Sequence, residues 1–191
     1  AMPAARRDLE AVRNLKLSQS SGHSSGATSF EPWDCAYWSE KLKVKLHDFD
    51  EELLRPYFKL ENVVEGVFEH ARKLYGLKFR LLTDIPVYHP EVKVYEVVDA
   101  ATEKHVSLFY ADFFPRASKR GGAWMDDVRA RWLRPDTGAL QTPVAHLVCN
   151  FADGVEIKGV KYPPLLSHDD VTTLFHEFGH GLHHLLTQVN E

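Results

Sequence analysis

The sequence predicts an α+β fold that is predominantly helical, with a small β-sheet beside one helix that carries a His-Glu-x-x-His motif. Apolar residues recur at helical spacing in two stretches, residues 60–75 and 171–189. Between residues 77 and 110, apolar and polar residues alternate instead, as they do in half-buried strands. Gly76 stands where the period changes, which is the usual place of a glycine that ends a helix.

Composition and charge narrow the class of protein. The chain has 191 residues, 44% of them hydrophobic, which is enough for a sizeable core. The net charge of −4 gives no reason to expect nucleic acid or an anionic membrane as a partner. No apolar run approaches the ~20 residues that span a bilayer, and the first residues lack the apolar segment of a signal peptide. We expect a cytoplasmic protein in which Cys35 and Cys149 are reduced, buried thiols.

The first thirty residues are predicted to differ from the rest of the chain. Residues 4–17 have the pattern of a short helix. Residues 18–29 are rich in Ser and Gly and show no hydrophobic pattern, which is typical of a flexible linker. We therefore expect an N-terminal helix and linker over residues 1–30, followed by a second domain over residues 31–191.

Within the second domain, a helix is expected to begin at Asp34, and a shorter turn to end at Pro56. Residues 113–141 are predicted to be rich in loops, with a helical turn within 123–132. Residues 144–151 are predicted to form a further strand, which leads toward the helix that carries the motif.

Other features receive modest interpretations. Residues 119–124, Lys-Arg-Gly-Gly-Ala-Trp, lack the full phosphate-loop pattern, so a tight turn is expected there. His146 is expected to be a hydrogen-bonded core histidine. His183 and His184 are expected to lie near a metal or in solvent without binding the metal directly.

The motif itself is His176-Glu177-Phe178-Gly179-His180, on a helix that Ser167 and Asp170 begin with a capping-box-like pair. Residues four apart lie on one face of a helix, so both imidazoles can reach one Zn²⁺. Glu177 is rotated by roughly 100° from His176, which places it beside the metal as a general base. The two histidines are expected at the edge of the helix's apolar stripe.

The class of zinc site follows from the residues after the motif. A longer metzincin motif needs Gly and His where this sequence has His183 and Leu186, so that class is excluded. The remaining usual arrangement takes its third ligand from a Glu on a later helix. After His180 the only acidic residue is Glu191. We therefore expect one zinc per active site, with the third Glu ligand beyond residue 191, and a chain that is an incomplete, inactive fragment.

The residues around the motif also resemble a known family. Residues 175–184, Phe-His-Glu-Phe-Gly-His-Gly-Leu-His-His, are similar to the zinc helix of the thimet oligopeptidase family of zinc metallopeptidases, and within it to the bacterial oligopeptidase A branch. Further stretches fit the same family in the same order, namely residues 32–34, 54–58, 74–76, 119–124 and 143–151. The resemblance covers the chain from about residue 31 to its last residue.

This resemblance implies a zincin-like catalytic domain fragment of a zinc-dependent endopeptidase that hydrolyses short peptides. It makes His176 and His180 the zinc ligands and Glu177 the base that activates the zinc-bound water. The alternative is a non-catalytic metal-binding or interaction module with a vestigial motif. Glu177 argues against that alternative, because a structural zinc site has no use for a base. A third possibility is a complete enzyme that borrows a Glu ligand from a second chain; the oligomeric state is left open.

Overall fold

A computed structural model describes three stretches of the chain, residues 2–20, 29–47 and 51–190. The chain divides into two compact units, Ala1–Glu51 and Glu52–Glu191. Most of the expected linker, residues 21–28, lies outside the described residues, and so does Glu191. The domain division expected near residue 30 stays a prediction.

The first unit contains two helices, α1 (Met2–Ser20), which is longer at both ends than predicted, and α2 (Asp34–His47), which begins where predicted. Asp34 accepts hydrogen bonds from the Lys16 ammonium at 2.6 Å and from the Glu31 backbone N–H at 2.8 Å. The hydrogen bond from Lys16 is the main reason why the pKa of Asp34 lies below its usual value. One carboxylate thus joins the two helices.

The second unit combines helices with a mixed sheet. Its helical elements are a 3₁₀ helix over Glu51–Tyr57, α3 (Leu60–Tyr75) and α4 (His168–Leu185). Its strands are β1 (Leu77–Leu82), β2 (Lys93–Asp99), β3 (His105–Asp112), β4 (Trp124–Arg129), β5 (Trp132–Leu133), β6 (Leu140–Gln141), β7 (Val144–Val148), β8 (Glu156–Ile157) and β9 (Val160–Lys161). A mixed α/β architecture is therefore confirmed. Gly76 ends α3 in the left-handed conformation, with φ 65°, which explains the glycine there.

The main sheet has five strands in the order β1-β2-β3-β7-β4. β2 and β3 form a hairpin and pair antiparallel, while β3 and β7 pair parallel. β4 pairs antiparallel with β7 and is an edge strand, so its other side has no strand partner among the described residues. One free edge of the sheet therefore belongs to β4, a strand that α4 contacts directly.

The core lies between one face of this sheet and the helices α3 and α4. Phe178 of α4 is central to it: its ring centroid lies 6.0 Å from that of Phe68, 5.7 Å from Phe79 and 5.6 Å from Phe109. Burial of one large apolar side chain contributes roughly 1.5–3 kcal/mol to stability. The helix that carries the motif is thus held against both α3 and the sheet by a residue inside the motif.

Three expectations are wrong in detail. Residues 124–129 form the strand β4 and no helical turn, because they pair along β7; the first two of them, Trp124 and Met125, line a cleft. Pro56 lies inside the 3₁₀ helix, one residue before its end. Cys149 is buried, which raises its pKa to about 12, but Cys35 is only half-buried.

No helix among the described residues has the length and apolar character needed to cross a membrane.

Candidate metal centre

The helix α4 begins at a complete capping box. The Asp170 backbone N–H donates to Ser167 Oγ at 3.0 Å, and the Ser167 N–H donates to Asp170 Oδ2 at 2.8 Å. Just before it, the Leu166 N–H donates to the Phe58 carbonyl at 2.8 Å. These contacts fix where α4 starts, and hence where the motif lies, relative to the start of α3.

The two faces of α4 have different surroundings. Leu174, Phe178 and Leu185 are buried against the core. His176 and His180 follow the first two of these by two residues each, or about 200° round the helix, and both are exposed. They therefore project away from the core, and the expected position at the edge of the apolar stripe is wrong.

The two histidines nevertheless converge. Their Nε2 atoms are 3.1 Å apart, and their ring centroids 4.7 Å apart with the planes at 85°. Two nitrogens bound to one tetrahedral Zn²⁺ at about 2.0–2.1 Å would be roughly 3.3 Å apart. The histidine pair therefore fits the spacing of two ligands on one zinc ion without a change of helix geometry.

Glu177 belongs to α4 and lines a cleft of about 780 Å³. It is half-buried, and it shares the cleft with His180 and His183 of α4 and with Trp124 and Met125 of β4. The lining of the cleft thus includes Glu177 and His180, and His176, which does not line it, completes the converging histidine pair beside it. This is the set of groups that metal-assisted hydrolysis requires on one helix.

A hydrogen bond between helix and strand sets the far end of the cleft. His184 Nε2 lies 3.0 Å from the carbonyl oxygen of Arg129, to which it donates. This hydrogen bond ties His184 to β4, and its expected place outside the set of metal ligands stays a prediction. His183 is exposed at the cleft. Among the described residues, no group of three His, Cys, Asp or Glu side chains is placed to hold a metal ion.

Comparison with known proteins gives the family. The model of peptidase family M3 matches residues 1–191. The chain belongs to peptidase family M3. The resemblance that the motifs predicted is confirmed.

Individual relatives of this M3 chain are peptidases by name. It is 44% identical over 189 residues to oligopeptidase A of Salmonella typhimurium and 43% identical over 189 residues to oligopeptidase A of Escherichia coli, with 99% of the chain covered in both. It is 41% identical over 192 residues to dipeptidyl carboxypeptidase of Escherichia coli, with 98% covered. In each case the match covers 26% of the relative, so the chain spans about a quarter of the length of these relatives.

A buried charge cluster in the M3 chain precedes the cleft strand. Asp112, whose side chain is 1% exposed, accepts two hydrogen bonds from Arg116 at 2.7 and 2.8 Å and one from Lys119 at 2.9 Å. Burial raises the pKa of Asp112, but the hydrogen bonds from Arg116, Lys119 and Tyr88 together hold it well below its usual range. Lys119 also donates to the Phe114 carbonyl, so the cluster closes the turn that leads to β4.

Sequence analysis missed this cluster, although it expected the turn. Arg116 and Lys119 lie in the stretch predicted to be rich in loops, four and seven residues after Asp112, and only the structure shows both side chains folded onto the Asp112 carboxylate. His146 is half-buried and contacts the Tyr88 hydroxyl, which donates its own proton to Asp112. His146 therefore donates from Nε2. Burial lowers its pKa, so the neutral ring predominates at pH 7.

Proposed function

We propose that this chain is part of a zinc-dependent oligopeptidase that hydrolyses short peptides. The observation that carries the proposal is the convergence of His176 and His180, with Nε2 atoms 3.1 Å apart, beside a cleft that His180 and Glu177 line. Membership of peptidase family M3 and the names of the relatives support peptide hydrolysis as the reaction. The cytoplasmic location remains a prediction.

The two histidines would hold the zinc ion, as their spacing allows. Zinc, when bound, would lower the pKa of a water molecule and polarise the carbonyl of the scissile bond. Glu177 follows His176 directly and faces the cleft, so its carboxylate would accept the proton of the attacking water. The same carboxyl group would then deliver that proton to the amine that leaves.

A third ligand is still required. Catalytic zinc sites have three protein ligands and one open position, and His176 and His180 would supply two of them. We propose a Glu outside the described residues, in a longer enzyme. The coverage supports this, because the chain spans about a quarter of the length of its relatives.

The direct test is Glu177→Gln in the full-length enzyme. Loss of the base should lower kcat by about 10²- to 10⁴-fold, while the bound zinc stays near one per chain because both histidines are intact. The measurements are hydrolysis of a fluorogenic peptide and zinc content by atomic absorption. Glu156→Gln removes the same charge at an exposed position outside the cleft and should change neither. Unchanged hydrolysis by Glu177→Gln would remove Glu177 from the mechanism.

A further inference from the structure

The cleft beside α4 extends well beyond the histidine pair. Met125 of β4 faces Gly181, since a Cβ added to Gly181 would lie 3.9 Å from Met125 Cγ. Further along, the Arg129 carbonyl accepts the hydrogen bond from His184, and Arg131 contacts Asn190. The residue numbers of strand and helix rise together, so the cleft runs from the motif to the C-terminal end of α4.

Arg131 lies at that far end. It is half-buried, and it is the only Lys or Arg that lines the cleft within the described part of the chain. Its Nε–H donates to Asn190 Oδ1 at 2.8 Å, which orients the guanidinium plane. No carboxylate of the described residues lies within ion-pair distance of it, so its two terminal amino groups have no anionic partner there.

A half-buried guanidinium without an anionic partner is suited to bind a carboxylate. Its terminal amino groups form a planar pair of donors, which fits the two oxygens of a carboxylate. Half-burial strengthens such a pair relative to one in open solvent, because water screens it less. The hydrogen bond to Asn190 further reduces the conformational freedom that the side chain would lose on binding.

We propose that Arg131 binds a carboxylate group of the peptide substrate and thereby sets substrate preference. The inference rests on the proposed function. Met125 and Arg131 are six residues apart on an extended chain, which spans at most about 20 Å at roughly 3.3 Å per residue. The carboxylate therefore lies at most about six residues from the scissile bond. Its source is either an acidic side chain or the free C-terminus of the peptide.

The test compares matched peptides in the full-length enzyme. One series replaces a Gln by Glu at each position in turn, and a second carries a free or an amidated C-terminus. The readout is the ratio of kcat/KM for the charged and the neutral member of each pair, in which a general loss of activity cancels. For wild type we expect a ratio of about tenfold or more at one position or at the C-terminus, as one charged hydrogen-bonded pair provides.

Variants assign this preference to Arg131. Arg131→Gln should bring the ratio close to one, and Arg131→Glu should reverse it in favour of a Lys peptide. Arg134→Gln is the matched control, since Arg134 stacks on Trp132 outside the cleft and its loss should keep the ratio. A ratio that Arg131→Gln leaves intact, or a wild type indifferent to every carboxylate, overturns the inference. If wild type hydrolyses no peptide at all, the proposed function fails first, and this inference with it.

Discussion

At the scale of single residues, the second unit depends on polar groups whose partners come from short stretches of chain. Asp112 collects Arg116 and Lys119 within seven residues, and the Lys119 side chain is only 3% exposed. His176 and His180 meet within one turn of helix. In both cases local geometry brings polar groups together, but only the first set centres on a buried carboxylate, and burial determines what the loss of that carboxylate would cost.

Removal of the Asp112 carboxylate is expected to destabilise the protein strongly. Asp112→Asn leaves the charges of Arg116 and Lys119 without their counter-ion, at a cost of about 3–5 kcal/mol in free energy of unfolding. Urea denaturation measures this cost. Asp136→Asn, at an exposed position without a charged partner among the described residues, is the control and should change stability by less than about 0.5 kcal/mol.

The same substitution predicts a pH dependence. Because the folded pKa of Asp112 lies below the unfolded value of about 3.9, its ionised form stabilises the folded state above pH ~4. That contribution to the free energy of unfolding is lost as the pH falls from about 4 toward the folded pKa of Asp112. The stability difference between wild type and Asp112→Asn should therefore shrink below pH ~4; a constant difference would show that another group controls it.

At the scale of elements, the strand β4 is the least predictable part of the site. Its sequence, Trp-Met-Asp-Asp-Val-Arg, has no clear alternation, and strand formation there depends on pairing with β7 about twenty residues later. The helices α3 and α4 were predictable because their apolar periodicity and their ends are encoded locally, by Gly76 and by Ser167 with Asp170. The pairing of β4 with β7 is non-local and leaves no comparable pattern in the sequence.

The free edge of β4 leads to a prediction about substrate binding. We propose that an extended peptide pairs with this edge, beside Glu177. In a strand pair, only alternate residues direct their backbone N–H toward the partner. N-methylation of successive peptide bonds should therefore weaken binding at every second position and leave the positions between them unaffected. Inhibition constants of such a peptide series measure this, and a uniform or absent effect would contradict strand pairing.

At the scale of the whole molecule, the histidine pair, Glu177 and the cleft wall all lie in the second unit. The convergence of His176 and His180 and the family followed from the sequence, because residues four apart on a helix lie on one face and the motif is shared with the family. The solvent exposure of the two histidines did not, since it depends on which face of α4 meets Phe68, Phe79 and Phe109. A third ligand in a longer enzyme would complete the proposed zinc site.

The most direct test is calorimetric titration of this chain with zinc. A site made of His176 and His180 predicts weak binding that His176→Ala and His180→Ala each abolish. His183→Ala, on the same helix and equally exposed, should leave that binding unchanged. Zinc binding that survives the loss of His176 or His180, or that depends equally on His183, would contradict the proposed metal site.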